Sequence, residues 1–207
     1  MRQAALAELA ERGYGGFTIE SVAARCGVAR TTVYRHWPDK LALIADALDT
    51  LNRQPTPDGE PEEGADPADH DARVAGASPR HHVHTLLRHL ATVFADSTFS
   101  ACVPALIEGA ERDAAVRAFL HRYSAERRGA LVAAIAAAVD AGEVGPEVDP
   151  DLASVALSGP IVYRRLMTGE PFDPGQVDDL VDLVLGEPPP PSAERHCPGE
   201  TAKPPER

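Results

Sequence analysis

Apolar side chains recur every third or fourth residue along most of this chain, and nowhere do they alternate convincingly with polar ones. That spacing fits the turn of an α-helix and argues against the two-residue period of a half-buried strand. The chain therefore reads as all-α. Ala5, Leu6, Leu9 and Ala10 form a first stripe over residues 2–11, and Gly13 ends it. Thr18 is placed to cap a second helix carrying Ile19, Val22, Ala23 and Cys26, which Gly27 closes with a tight turn. A short third helix follows over residues 30–36. Pro38 and Asp39 break it and start a fourth, striped by Leu41, Ile44, Leu48 and Leu51.

Residues 54–79 differ in kind. They are rich in Pro, Gly, Asp and Glu and poor in large apolar residues, so they cannot bury enough surface to offset the entropy of ordering. They read as a flexible acidic loop between a first domain (1–53) and a second (80–186). Helical period resumes with Val83, Leu86, Leu87, Leu90, Val93 and Phe94. A weaker segment over 99–110 contains Pro104, and a long Ala-rich one over 113–141 stops at Gly142. Asp149-Pro150 and Asp173-Pro174 each set a capping carboxylate before a proline suited to the first helical position. Pro160, inside the helix that Asp149 opens, is expected to kink it. The Pro-rich tail over 187–207 reads as disordered.

Charge sharpens the reading. The net charge is −12, unusual for a binder of polyanions. Within the first domain, however, Arg2, Arg12, Arg25, Arg30, Arg35, Lys40 and Arg53 balance Glu8, Glu11, Glu20, Asp39, Asp46 and Asp49. No carboxylate occurs between Ser21 and Pro38, a span holding Arg25, Arg30 and Arg35. A phosphate backbone would meet that local excess rather than the net charge.

The run FTIESVAARCGVARTTVYRHWPDKLALIADAL has the logic of a helix-turn-helix. The Gly27 turn lets the third helix cross the second. Val28 and Val33 tie the third helix to the core and leave Arg30, Thr31, Thr32, Tyr34 and Arg35 outward. Cations, short hydroxyls and an aromatic hydroxyl are the groups that read base edges and grip phosphates in a major groove. Lys40, in the first turn of the fourth helix, could meet a phosphate together with that helix's N–H groups. Trp37 is expected to pack between the third and fourth helices.

Gly13, Tyr14, Thr18, Val22-Ala23, Gly27-Val28, Thr32-Val33-Tyr34, Arg35-His36, Trp37 and Lys40 stand in an order that resembles the DNA-binding domain of the TetR (tetracycline-repressor) family. The stretch GPIVYRRLMTGEPFDPGQVDDLVDLVL is more loosely similar to the regulatory domains of one branch of it. The resemblance implies a double-stranded, palindromic DNA operator as partner, with Arg30, Thr31, Thr32, Tyr34 and His36 in or beside the groove. Thr18, Tyr34 and Lys40 would hold phosphates. It implies a homodimer through the last two helices, where Val155, Ile161, Val162, Leu166, Leu180, Val181, Val184 and Leu185 are candidates. Two recognition helices would then sit one DNA turn apart, about 34–36 Å. It also implies a small-molecule effector in a pocket among the middle helices, with Leu90, Phe94, Phe99, Leu106, Phe119, Tyr123, Ile135 and Tyr163 as candidate lining. Two departures stand out. Ala29 occupies a position where the family usually has a capping Ser or Thr. Family members also usually carry a basic arm before the position of Met1, so the native start is expected upstream.

Other classes fit less well. No nucleophile elbow, phosphate-cradling glycine loop or metal signature appears, so an enzyme and a cofactor are not expected. His81, His82, His84 and His89 lack the spacing of a metal site and read as solvated. Cys26 and Cys102 read as core fillers and Cys197 as a tail thiol. No membrane span or signal peptide is evident, and a cytoplasmic location is expected. The alternative function is a dimeric helical sensor or interaction protein that has lost DNA binding.

Overall fold

The computed structural model describes residues 1–51 and 78–187, and among these it is helical throughout, with no strand. The predicted acidic loop up to residue 77, and the tail from residue 188, lie outside the described residues. Nine α-helices are described: α1 (Arg2–Gly16), α2 (Ile19–Cys26), α3 (Arg30–His36), α4 (Lys40–Leu51), α5 (Pro79–Ala95), α6 (Ser97–Arg112), α7 (Ala114–Asp140), α8 (Pro150–Tyr163) and α9 (Val177–Leu185).

Most starts are fixed by a short polar side chain accepting from a backbone N–H of the first turn. Thr18 Oγ1 accepts from Ser21 N at 3.1 Å, Asp96 from Phe99 N at 2.8 Å, and Asp149 from Leu152 N at 3.0 Å. Ser78 caps α5 in the same way and Pro79 occupies its first turn, so the second domain begins a little earlier than the sequence suggested. Asp173 caps a single 3₁₀ turn, Pro174–Gln176, before α9 proper. Gly13 breaks α1 at φ 67° rather than ending it, and the chain regains one more turn to Gly16. Beyond Pro160, α8 runs into a π-helical turn, Arg164–Thr168. The expected irregularity thus falls after the proline. Proline lacks the N–H that would bond one turn back, and ladders loosened in this way can shift register.

The helices of the first domain pack around Leu6, Leu9, Phe17, Val22, Val33, Leu43, Ile44 and Leu48, all at most 2% exposed. The second domain wraps α5, α6 and α8 around α7, with Val83, Leu87, Ile135, Leu157 and Ile161 fully buried. Arg80, itself buried, pins the start of α5 to the far end of the bundle. Its Nη2 reaches Asp182 at 2.7 Å and the carbonyl of Gly186, and its backbone N–H donates to Glu143.

The two domains share a broad contact between α1 and α6. Its centre is Tyr14, whose ring lies so close to Gly109 that an added Cβ there would stand 2.9 Å from it. The Tyr14 hydroxyl faces Asp113, and burial together with that carboxylate pushes its pKa up to about 12. Nearby, Cys102 is fully buried with its thiol directed at the carbonyl of Leu6, and burial raises its pKa to about 12 as well. No single described helix is long and apolar enough to cross a membrane. Helices α5 and α6 would pass only as a pair, and they bend by 86° at their junction.

Candidate nucleic-acid interface and cavity

At seven residues α3 is too short to be stable alone, so tertiary contacts hold it. Gly27 adopts the left-handed conformation (φ 66°, ψ 27°), its N–H closing on the last carbonyls of α2, and this turns the chain into α3. Val33 is completely buried, an anchor of roughly 1.5–3 kcal/mol. Its burial forces the opposite face outward: Arg30, Thr31, Tyr34, Arg35 and His36 are exposed and Thr32 is partly so. Ala29 offers no side-chain cap, as its residue type dictates.

The electrostatics differ from what the sequence suggested. Arg25 is not part of the free positive charge. It reaches back to α1, forming a bidentate pair with Glu11 and a contact of 3.1 Å to the buried Glu8. Arg30 and Arg35 make no ion pair among the described residues, so the cationic character of the face comes from these two. Tyr34, 46% exposed, directs its hydroxyl toward Glu20 of α2 at 3.5 Å.

Two predicted phosphate contacts are otherwise engaged. Thr18 is exposed, but its hydroxyl is spent on the cap and on Ser21 Oγ at 2.9 Å. Lys40 donates to the carbonyl of Tyr14 at 3.1 Å and stands 3.9 Å over that ring, stapling α4 to α1. One of its three N–H donors is thus engaged within the domain. Trp37 is half-buried, as expected of a side chain between α3 and α4. Its indole N–H donates to Asp46 at 2.9 Å, and Arg2 holds the same carboxylate bidentately. That guanidinium keeps the Asp46 pKa below the ordinary carboxylate range.

The second domain encloses a cavity of about 290 Å³. Helix α5 contributes Leu86, Leu87, Leu90 and Phe94, and α6 contributes Phe99, Val103 and Leu106. Helix α7 adds Leu120, Tyr123, Ser124, Arg127, Arg128 and Leu131; α8 adds Ser154, Ser158 and Val162; Leu48 reaches in from α4. Of the sequence candidates, Leu90, Phe94, Phe99, Leu106 and Tyr123 meet here. Phe119 and Ile135 do not: both are buried, Phe119 with its ring 5.6 Å from that of Tyr123 and Ile135 completely. Tyr163 does not either, being 61% exposed on the outside of α8. The residues the sequence reading missed are polar ones, Arg127, Arg128 and the three serines. A search by apolar type could not find them.

The candidate dimer residues divide. Val155 is 55% exposed, and Val162, Leu166 and Val184 are half-buried. Ile161, Leu180, Val181 and Leu185 are buried inside their own chain, where they fasten α9 onto α8 and α5, so they are not available as a surface. The apolar side chains that do stand outward on these elements are Leu152, Val155, Tyr163, Met167 and Leu183.

The histidines also need correction. His84 is not solvated: it is largely covered and pairs through Nδ1 with Asp178 at 2.6 Å. Burial lowers the pKa of both His82 and His89. No cluster of three metal-ligating side chains occurs among the described residues. Of the cysteines, Cys26 is partly covered and Cys102 buried, while Cys197 lies outside the described residues.

An exposed recognition helix on a capped helix-turn-helix, joined to a hollow helical domain, defines a DNA-binding regulator. The family comparisons agree. Residues 2–47 match the model of bacterial regulatory proteins of the tetR family, and residues 76–184 match the tetracycline-repressor-like C-terminal domain. The chain belongs to the TetR family of transcriptional regulators. A relative described as the DNA-binding transcriptional repressor TetR of Mycobacteroides abscessus is 30% identical over 190 residues, covering 87% of each chain. The HTH-type transcriptional regulator Rv0767c of Mycobacterium tuberculosis is 36% identical over 143 residues, which span 68% of this chain and 60% of the relative. A solved TetR-family regulator from Rhodococcus sp. shares the fold, with a TM-score of 0.62 at 23% identity over 89% of this chain and 98% of that one. FadR of Bacillus subtilis, solved with stearoyl-CoA, shares it at a TM-score of 0.64 and 16% identity, over 89% and 96% of the two chains.

Proposed function

We infer that this regulator is a homodimeric repressor that occupies a palindromic operator and leaves it when a small molecule fills the cavity. The observation that carries the DNA-binding half is the outward face of α3, where Arg30 and Arg35 have no carboxylate partner among the described residues and Tyr34 and Thr31 stand beside them. Arg30, Thr31, Thr32, Tyr34 and His36 supply the groove contacts. Phosphates fall to Arg35, to the Lys40 ammonium and to backbone N–H groups at the starts of α2 and α4.

The apolar patch formed by Leu152, Val155, Tyr163, Met167 and Leu183 supports dimerisation. A second copy meeting it by two-fold symmetry would bury it and set the two recognition helices side by side. Repression follows from occupancy, because a promoter covered by such a dimer is closed to polymerase. The effector fills a largely apolar space, so its body is apolar with a small polar head.

The test is a mobility-shift assay with the full chain and DNA from upstream of its own gene. Binding should occur at low salt and fall steeply as salt rises. Absence of a shift on every upstream fragment at low salt would favour the alternative, a helical sensor that has lost DNA binding. Light scattering on the same sample should give the mass of two chains, and Val155→Asp should reduce it to one.

A further inference from the structure

We propose that the cavity selects an organic acid with an apolar body, whose carboxylate takes Arg127 from Asp49 and so releases the tie between the cavity wall and α4. The proposal rests on the reading of the cavity as an effector site and names the effector's chemistry.

The charge of the lining is one-sided. Arg127 and Arg128 line the cavity, and no carboxylate does among the described residues. Two of the three serines cannot serve as donors to a bound head group, because their protons are already given to helix carbonyls. Ser154 Oγ donates to Asp151 O and Ser158 Oγ to Ser154 O, each at 2.7 Å. Among the described lining residues the charged donors are the guanidiniums of Arg127 and Arg128, which favour a carboxylate over an alcohol or an amine.

Arg127 is also held in a way that permits exchange. Its guanidinium carbon stands 3.4 Å from the centroid of the Tyr123 ring, and Nη1 donates to the Tyr123 carbonyl at 3.3 Å. These contacts hold it from within α7. Its Nη2 also donates across to the first domain, to Asp49 Oδ1 at 3.2 Å, on a carboxylate 64% exposed to water. A pair whose carboxylate is this exposed to water is weak. A carboxylate on the cavity side, shielded by leucines and phenylalanines, competes from a drier position and can engage the planar fork with both oxygens.

Asp49 lies on the same helix as Leu48, which touches the cavity, and as Asp46, which holds Trp37 at the end of the recognition helix. Giving up the Arg127 contact frees α4 on its cavity side while its hold on α3 remains. The acid is thereby expected to lower operator affinity.

The experiment compares octanoate with 1-octanol, which share an apolar body, by calorimetric titration of the full-length protein. Octanoate should bind at least tenfold more tightly. Arg127→Gln should bring octanoate down to the octanol affinity, and Arg127→Lys should retain part of the preference, which separates lost charge from lost folding. Asp49→Asn, by removing the competitor, should tighten octanoate several-fold and leave octanol as it was. Equal affinities, a preference that survives Arg127→Gln, or no saturable octanoate binding would each overturn the proposal. Operator binding is measured on the same samples by fluorescence anisotropy. If octanoate binds through Arg127 yet leaves operator affinity unaltered, the release of α4 is overturned. If ligand-free protein binds no operator, it is the regulator reading that fails.

Discussion

Arg30 and Arg35 on α3 stand in solvent with no carboxylate partner among the described residues, whereas Arg127 and Arg128 on α7 are held by Asp49 and Asp151. The same residue type is prepared for two different tasks. Unpaired guanidiniums on a rigid outward face add to the field felt by a polyanion and displace its counterions on contact. A guanidinium already paired with a carboxylate of its own chain gives up a partner when it binds, so its binding is also a rearrangement. The first arrangement suits attachment, the second suits sensing.

The comparison can be broken most sharply at α3. Arg30→Ala combined with Tyr34→Ala should weaken operator binding by a hundredfold or more in anisotropy titrations, at about 1–3 kcal/mol per lost contact. Binding that survived the double change would refute the groove assignment. A sharper version asks about charge alone. Arg35→Ala should flatten the dependence of log affinity on log salt by about one unit, while Arg128→Ala should leave that slope intact. The junction between the halves can be strained without touching either set of arginines. Gly109→Ala drives a methyl into the Tyr14 ring and should cost about 1–3 kcal/mol, read as a lower melting temperature. The smallest effect is expected from Ala29→Ser, which supplies the missing cap and should stabilise α3 by about 1 kcal/mol, seen as slower amide exchange over residues 30–36.

Local signals were legible in the sequence, and relations between distant residues were not. Thr18, Gly27, Asp149 and Gly142 announce their roles through residue type and a few neighbours, because caps and left-handed turns are decided within one turn of backbone. The outward face of α3 followed from Val33 alone. The pairing of Arg25 with Glu8 and Glu11 was hidden, since it depends on how α1 lies across α2. So was the diversion of Lys40 to a backbone carbonyl. The cavity shows the same limit. On α7 Phe119 and Ile135 stand one turn from the lining residues Tyr123 and Leu131, so spacing and type could not tell core from cavity. On α8 and α9 half of the stripe predicted as an interface, Ile161, Leu180, Val181 and Leu185, is buried in the seam that joins them to their own domain. The outward apolar residues, Leu152, Met167 and Leu183, fall off that stripe.

The close seating of Tyr14 on Gly109 carries one more implication. With no side chain between ring and backbone, and with Lys40 fastened to the carbonyl of the same tyrosine, the junction has no soft layer to yield first. The reader and the sensor should therefore melt as one cooperative unit, giving a single calorimetric transition, and hydrogen exchange in α1 should track that in α6.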